Sequence, residues 1–293
     1  MFDLAEPTLA AHHWQAQAQS YRQRLESFLT PQLTRIAAGD PVAQFLFSYY
    51  SLRPAQLRHW NPGYGVALAG SAALREYRGR RGYVTHDDKT AVSEQYLRDR
   101  IDTVTFVARL LRATGNRPAQ LNCFGLHEWA MVYRTETPRH THVGLRLDVA
   151  TINTVIESTP LRCTHFDAFR FFTPAAAPRN NGTPRRENQI DSEQPGCLHA
   201  NMDLYKWCYK LGPLISSDLL LKCLQLATTA REIDMRASPY DLTDYGYRPI
   251  QIETAAGRAE YVRHQSEIAL RAEPLRATLL NHCERLREII ACK

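Results

Sequence analysis

The sequence predicts a mainly α-helical protein, a compact multi-helix domain with a long irregular loop at about 173–198 and few short strands. Three observations carry that expectation. Apolar residues recur at i, i+3, i+4 spacing in several long segments. Alternating, β-branched runs of the kind that make strands are scarce. One stretch rich in proline and asparagine interrupts the helical patterns: Pro174, Pro178, Asn180-Asn181-Gly182, Pro184 and Pro195. Loops of that length in a compact domain are usually functional or disordered.

The elements follow in chain order. Residues 8–29, rich in Ala, Gln and Arg, read as a helix that stops before Pro31. In 93–113, Leu97, Ile101, Val104, Ala108 and Leu111 share a face, with Ser93 as N-cap. Val143, Leu145, Leu147 and Val149 alternate, which suggests an extended piece within 143–157, and Tyr247–Ile252 suggests another. Residues 217–236 place Leu219, Cys223, Leu226, Ala230 and Ile233 on one face. Two final helices, 255–272 and 275–291, are expected to be separated near Pro274. The whole reads as a single domain over 1–293: a helical and basic part at about 1–115, a candidate site region at about 120–240, and a C-terminal helical pair at about 255–291.

Composition excludes several classes. No apolar run approaches the roughly 18 residues of a membrane span. The start, Met-Phe-Asp-Leu-Ala-Glu, lacks a signal peptide's basic and apolar regions, so a cytoplasmic location and no membrane partner are expected. The seven cysteines form no C-x-x-C pair, which argues against a disulfide framework, a zinc ribbon or an iron–sulfur cluster. Glycine-rich nucleotide loops, a G-x-S-x-G elbow and the zinc deaminase signature are all missing, and no cofactor is expected. The formal net charge is +6, and six arginines (Arg53, Arg58, Arg75, Arg78, Arg80, Arg81) stand against one acid, Glu76, between Arg53 and Tyr83. Trp60, Tyr64, Tyr77 and Tyr83 are interleaved with them. Arginine neutralises phosphate and aromatic rings stack on bases, so the window reads either as a DNA-binding face or as a solvated basic loop.

Three stretches hold the candidate chemistry. In Cys123–Arg134, Glu128 sits among Met131 and Val132, where burial would raise its pKa and suit it to acid–base work, while His127 would point elsewhere. Trp129 and Tyr133 are candidate substrate contacts; the alternative is an amphipathic helix whose acid pairs with arginine. In Thr164–Phe172, Asp167 lies among four phenylalanines beside Arg170, as a catalytic acid would, with His165 and Phe169 against a substrate. The alternatives are an ion pair, or a capping box with Thr164. The third stretch offers Arg185, Glu187, Asn188, Gln194, His199, Asn201, Asp203 and Trp207 as substrate contacts. His199 and Asp203 are spaced i, i+4 and would share a helix face; a metal held by that pair, completed by His140, His142 or His165, is the alternative to no metal.

Five strings occur together: Phe47-Ser-Tyr-Tyr-Ser-Leu-Arg-Pro-Ala-Gln-Leu57, Cys123-Phe-Gly-Leu-His-Glu-Trp-Ala-Met-Val-Tyr-Arg134, His165-Phe-Asp-Ala-Phe-Arg-Phe-Phe-Thr-Pro174, Glu193-Gln-Pro-Gly-Cys-Leu-His-Ala-Asn-Met-Asp-Leu-Tyr-Lys-Trp207 and Asp234-Met-Arg-Ala-Ser-Pro-Tyr-Asp-Leu242. Over roughly residues 40–290 they make the chain resemble a bacterial family, common in actinobacteria, that usually carries the label 3-methyladenine DNA glycosylase. The resemblance implies base-excision repair: hydrolytic release of alkylated purines from double-stranded DNA. The Leu-Pro-Gly-Val-Gly type hairpin of helix-hairpin-helix glycosylases is absent, so no catalytic residue is carried over by motif, and Asp167 and Glu128 stand on their own chemistry. Two other readings remain open. One is a metal-dependent enzyme on a small polar substrate, using His127, Glu128, His165, Asp167, His199 and Asp203 as a buried cluster. The other is a non-catalytic nucleic-acid-binding protein.

Overall fold

A computed structural model describes residues 7–50, 52–135 and 143–292. The protein is mainly helical, with thirteen α-helices and four short strands among the described residues. In chain order these are β1 (Thr8–Leu9), α1 (Ala11–Ala37), α2 (Pro41–Tyr49), α3 (Pro54–Leu57), β2 (Ala67–Ala69), α4 (Ser71–Tyr77), β3 (Tyr83–His86), β4 (Lys89–Val92), α5 (Glu94–Arg98), α6 (Ile101–Gly115), α7 (Leu126–Ala130), α8 (Val149–Ser158), α9 (Phe166–Phe169), α10 (Gln189–Ser192), α11 (Leu198–Leu211), α12 (Ser217–Arg236) and α13 (Ala255–Ala291). None of these helices is long and apolar enough to cross a membrane.

The chain gathers into two units. One holds Met1–Ala108, Leu204–Gln225 and Ala277–Lys293; the other holds Arg109–Asp203 and Leu226–Arg276. The first carries a four-stranded sheet in the order β1-β2-β4-β3, parallel at β1-β2 and antiparallel elsewhere. β3 and β4 form a hairpin in which Thr85 faces Thr90, and its turn places Asp87 at a φ of 52°. Aspartate tolerates that left-handed conformation better than most residues. Of its strands β2 lies within the arginine window, β1 precedes it and β3 and β4 follow from its end, and each is too short to register as alternation.

Several local expectations hold. Ser93 caps α5, its side chain accepting from Tyr96 N–H, and α12 spans the expected 217–236. Others are corrected. The helix from residue 93 is two, α5 and α6, with a break at Asp99-Arg100. α1 runs on through Pro31, and α13 runs unbroken through Pro274. Residues 149–158 are helical, capped by Asp148, and among the described residues the preceding stretch pairs only through a single bridge from Leu145 to Tyr240. Tyr247–Ile252 makes no strand; its backbone turns instead, with Ile250 N–H donating to Arg236 C=O. The loop at 173–198 contains a 3-10 turn, Ala177–Arg179, as well as α10. Its own side chains order it: Asn180 donates to Cys163 C=O and Gly182 C=O.

Candidate functional site: a buried cluster of histidines and carboxylates

The unit made of Arg109–Asp203 and Leu226–Arg276 contains the site. Two consecutive left-handed residues, Phe124 at φ 50° and Gly125 at φ 68°, turn the chain into α7. A phenylalanine at positive φ is strained, and such strain persists only where surrounding packing enforces it. All five residues of α7 are buried, so His127 and Glu128 both face inward. The expectation that His127 points away from Glu128's surroundings is thereby corrected, since one charge network holds both. His127 Nε2 lies 2.9 Å from Asp234 Oδ1. Arg231 Nη1 donates to Asp234 Oδ2 at 2.9 Å and to Glu128 Oε1 at 2.8 Å. Asp234 Oδ2 is 3.9 Å from His199 Nε2. Glu128 therefore has the arginine pairing that was its alternative reading.

A second triad lies beside the first. His165, the residue that opens α9, places Nε2 at 3.2 Å from Asp203 Oδ2 and 3.4 Å from Glu193 Oε1. Gln189 Nε2 donates to the same Glu193 oxygen at 2.5 Å. The His199 ring joins the two triads. Its centroid is 4.5 Å from that of His127 and 5.3 Å from that of His165. Within each triad, His127/His199/Asp234 and His165/Glu193/Asp203, one donor atom from every residue lies within 4.8 Å of the others. His199 and Asp203 do share a face of α11, but they serve different triads. His140 and His142, expected to complete a site, lie outside the described residues.

Burial governs the electrostatics. His127, Glu128, His165, Glu193, Asp203, Arg231 and Asp234 are all buried. Burial, aided by the neighbouring His127, pushes His199 down to about 3, so its imidazole is neutral near pH 7 and keeps a free lone pair. For His127, burial pulls downward, but the Asp234 carboxylate beside it outweighs this and the net shift is upward. Burial would raise Asp234; its close contact with His127, with help from His199 and Arg231, holds it below the ordinary carboxylate range. His199 and Asp234 thus rest in the forms a metal requires, a neutral imidazole and an ionised carboxylate, whereas at His127 an ion would have to displace a proton that Asp234 favours.

A pocket reaches this cluster. Its walls include Cys123, His127, Cys163, Gln194, His199 and Tyr261, and none of His165, Glu193 or Asp203 lines it. Its interior of about 20 Å³ takes a water-sized occupant. Gly196 belongs to the same neighbourhood. A Cβ there would come within 2.6 Å of Gln120 C=O. Gln194 Oε1 accepts from both Gly196 N–H and Gln120 N–H, and Gln265 donates to Gly196 C=O at 2.6 Å. Glycine alone fits that approach.

The other expected site residues divide by place. Asp167 is buried and accepts from Arg186 at 2.7 Å, with Arg170 at 3.4 Å; His165, not Thr164, is the N-cap of α9, and no side chain caps it. Trp129 is buried, donating to Ala237 C=O under the Arg146 guanidinium. Tyr133 donates to Glu157, and Phe169 packs on Phe172. Asn188 folds back onto Arg185 N–H, while Arg185 and Glu187 are exposed. Asn201 is buried between Pro195 C=O and Arg276. Trp207 belongs to the other unit, where its ring meets Phe106.

In that same unit, Arg53, Arg58, Arg75, Arg78 and Arg81 are exposed and Arg80 is half-buried. Arg58 pairs with Glu26 at 2.7 Å, and Arg80 donates to Glu76 C=O. Trp60 and Tyr77 are core residues there, which leaves them no ring face to stack on a base.

Sequence reasoning left out Glu193, Arg231 and Asp234 as site residues. A signal for two of them exists in α12. Arg231 and Asp234 interrupt a face otherwise made of Ala227, Ala230 and neighbouring apolar residues, and charges on a buried face are retained only when paired or ligating. Glu193 sits in the irregular loop, where no periodicity marks inside from outside. Comparison with models of protein families, with curated proteins and with solved structures returned no match.

Proposed function

We propose that the protein is a metal-dependent enzyme acting on a small polar substrate, with its reacting metal held by His127, His199 and Asp234. The observation that carries this reading is the convergence of two imidazoles and one carboxylate. His127 Nε2 and His199 Nε2 lie 2.9 Å and 3.9 Å from oxygens of the same carboxylate. Ligands around one ion at about 2.0–2.2 Å stand roughly 3–3.5 Å apart, so these spacings bracket a coordination sphere. Three protein ligands leave positions open for water or substrate. His127 and His199 line the pocket, so the open positions would face it. A metal there would act as a Lewis acid on a bound water or a substrate oxygen. Arg231 bonds Asp234 Oδ2 and orients the carboxylate, and Glu128 in turn anchors Arg231. Such outer partners fix the ligand geometry. The interior admits only a water-sized group, so the ion would meet a water or a terminal oxygen of a small substrate.

Metal analysis tests this. Full-length protein dialysed against Zn2+, Mn2+ or Fe2+ under exclusion of oxygen is expected to retain an ion that His199→Ala loses. A folded wild-type chain that takes up none of the three overturns the reading.

A second reading, a DNA glycosylase, is supported by the resemblance and by the five exposed arginines of the basic window. In it Asp167 would be the acid, released from Arg186 when a flipped base enters.

A further inference from the structure

We infer that His165, Glu193 and Asp203 form a second, enclosed metal site, separate in its ligands from the reacting centre. The geometry argues against a plain hydrogen-bonded histidine. One ring nitrogen, His165 Nε2, faces two carboxylate oxygens, at 3.2 Å and 3.4 Å. A ring nitrogen carries at most one proton, which can be directed at only one of them. All three donor atoms lie within 4.8 Å of one another, and the three residues are between 1% and 2% exposed. Two carboxylate oxygens and one imidazole nitrogen thus converge on one buried spot, the set of donors that a divalent cation bridges; Arg276 offsets part of the Glu193 charge from outside the triad.

The donor set specifies the ion. Two carboxylate oxygens and one imidazole suit Mn2+, Fe2+ or Zn2+; the absence of thiolate from the triad disfavours softer ions. Gln189, donating to Glu193 Oε1, acts as the outer partner that orients a ligating carboxylate. None of the three ligands lines the pocket that reaches His127 and His199. Closed sites are structural and open ones catalytic. The ion here would therefore fasten three separate segments: the start of the four-residue α9, the irregular loop at Glu193, and α11 at Asp203. Such short and irregular segments hold little stability of their own.

The inference stands apart from the proposed function, and one experiment separates their failures. Wild-type protein is dialysed against Mn2+ or Zn2+, freed of excess ion and assayed for metal per chain. Two equivalents are expected. Glu193→Gln with Asp203→Asn should drop the count to one, and His199→Ala should drop it to one by losing the other ion. A chelator should lower the Tm of His199→Ala, whose remaining ion is the structural one. One equivalent in wild type that survives the Glu193/Asp203 double variant but not His199→Ala overturns the second site and leaves the reacting centre. No metal in folded wild type overturns both. Should the double variant fail to fold, anomalous scattering at the Mn or Zn edge from wild-type crystals decides: density between His165, Glu193 and Asp203 is expected, and its absence in metal-loaded crystals refutes the site.

Discussion

His199 is neutral because burial makes its cation costly, and its position between His127 and His165 adds to that cost. The consequence reaches stability. In the unfolded chain this histidine takes up a proton near its ordinary value of 6.5; in the fold it does so only at about 3. Between those values the unfolded state binds more protons, so folding weakens as the pH falls. A one-unit shift corresponds to about 1.4 kcal/mol, which sets the upper slope per pH unit. His127 shifts the other way: its contribution is complete below 6.5 and is lost as the pH rises through its higher folded value. Asp234 contributes above the ordinary carboxylate value of 3.8 and loses that contribution as the pH falls below it. In the window from 6.5 down to about 4, His59 and His282, which burial also lowers, act with the same sign, and His199 is the histidine pushed down furthest. Urea unfolding of chelator-treated protein at steps across that window should show falling stability in wild type and a flatter profile in His199→Gln. Equal slopes would mean that this imidazole is solvated.

Helix α13 shows how packing overrides a local breaker. Proline in a helix interior removes one hydrogen bond and crowds the preceding turn, at a cost of about 3 kcal/mol. Yet Tyr261, Gln265, Ile268, Ala272, Arg276, Leu279, Cys283 and Leu286 are buried in one unbroken stripe of three- and four-residue steps that passes Pro274 without a change of phase. The carbonyl deprived of its donor is that of Leu270, a residue 70% exposed, so water can satisfy it. The same holds in α1, where Pro31 deprives the exposed Ser27 and the stripe of Trp14, Ala18, Tyr21, Leu25 and Leu29 is already buried. Pro274→Ala restores the bond, while the freer unfolded chain takes back ~0.4–1 kcal/mol. A net gain of about 2–2.5 kcal/mol is expected from denaturant unfolding. A loss would show that the ring itself packs favourably at this exposed position.

At the scale of the whole molecule, charge and chemistry fall in different units. The exposed arginines belong to the unit with the small sheet, and the histidine–carboxylate cluster belongs to the other. The two functional readings can therefore be separated by mutation. Replacing Arg78, Arg80 and Arg81 by Ala should weaken binding to double-stranded DNA and flatten its salt dependence, by up to about 0.9 in the log–log slope for each phosphate no longer neutralised. Metal content should not change. Under the glycosylase reading, wild type also releases 3-methyladenine from methylated DNA, and Asp167→Asn stops that release. DNA affinity that ignores the three arginines, together with no base release, removes that reading and leaves the metal-dependent one untouched.

The sequence alone determined the helical class, the apolar faces of residues 93–113, 217–236 and 275–291, the Ser93 cap and the polar region between Cys123 and Tyr240 where the cluster lies. These are local properties: periodicity states which side of a helix is apolar, and a cap needs only its own first turn. It also placed His127, Glu128, His165, His199 and Asp203 among the candidates, because ionisable residues inside apolar runs are conspicuous. Tertiary structure alone decided their grouping. His199 and Asp203, four residues apart on one helix, go to different partners: His127 and Asp234 for one, His165 and Glu193 for the other. Glu193 reaches its place from an irregular loop, and Asp234 from a helix 35 positions beyond His199 in the chain. The short strands likewise form only by pairing. Periodicity specifies a face that needs covering; which distant segment covers it, and hence which side chains meet there, depends on how the chain closes on itself.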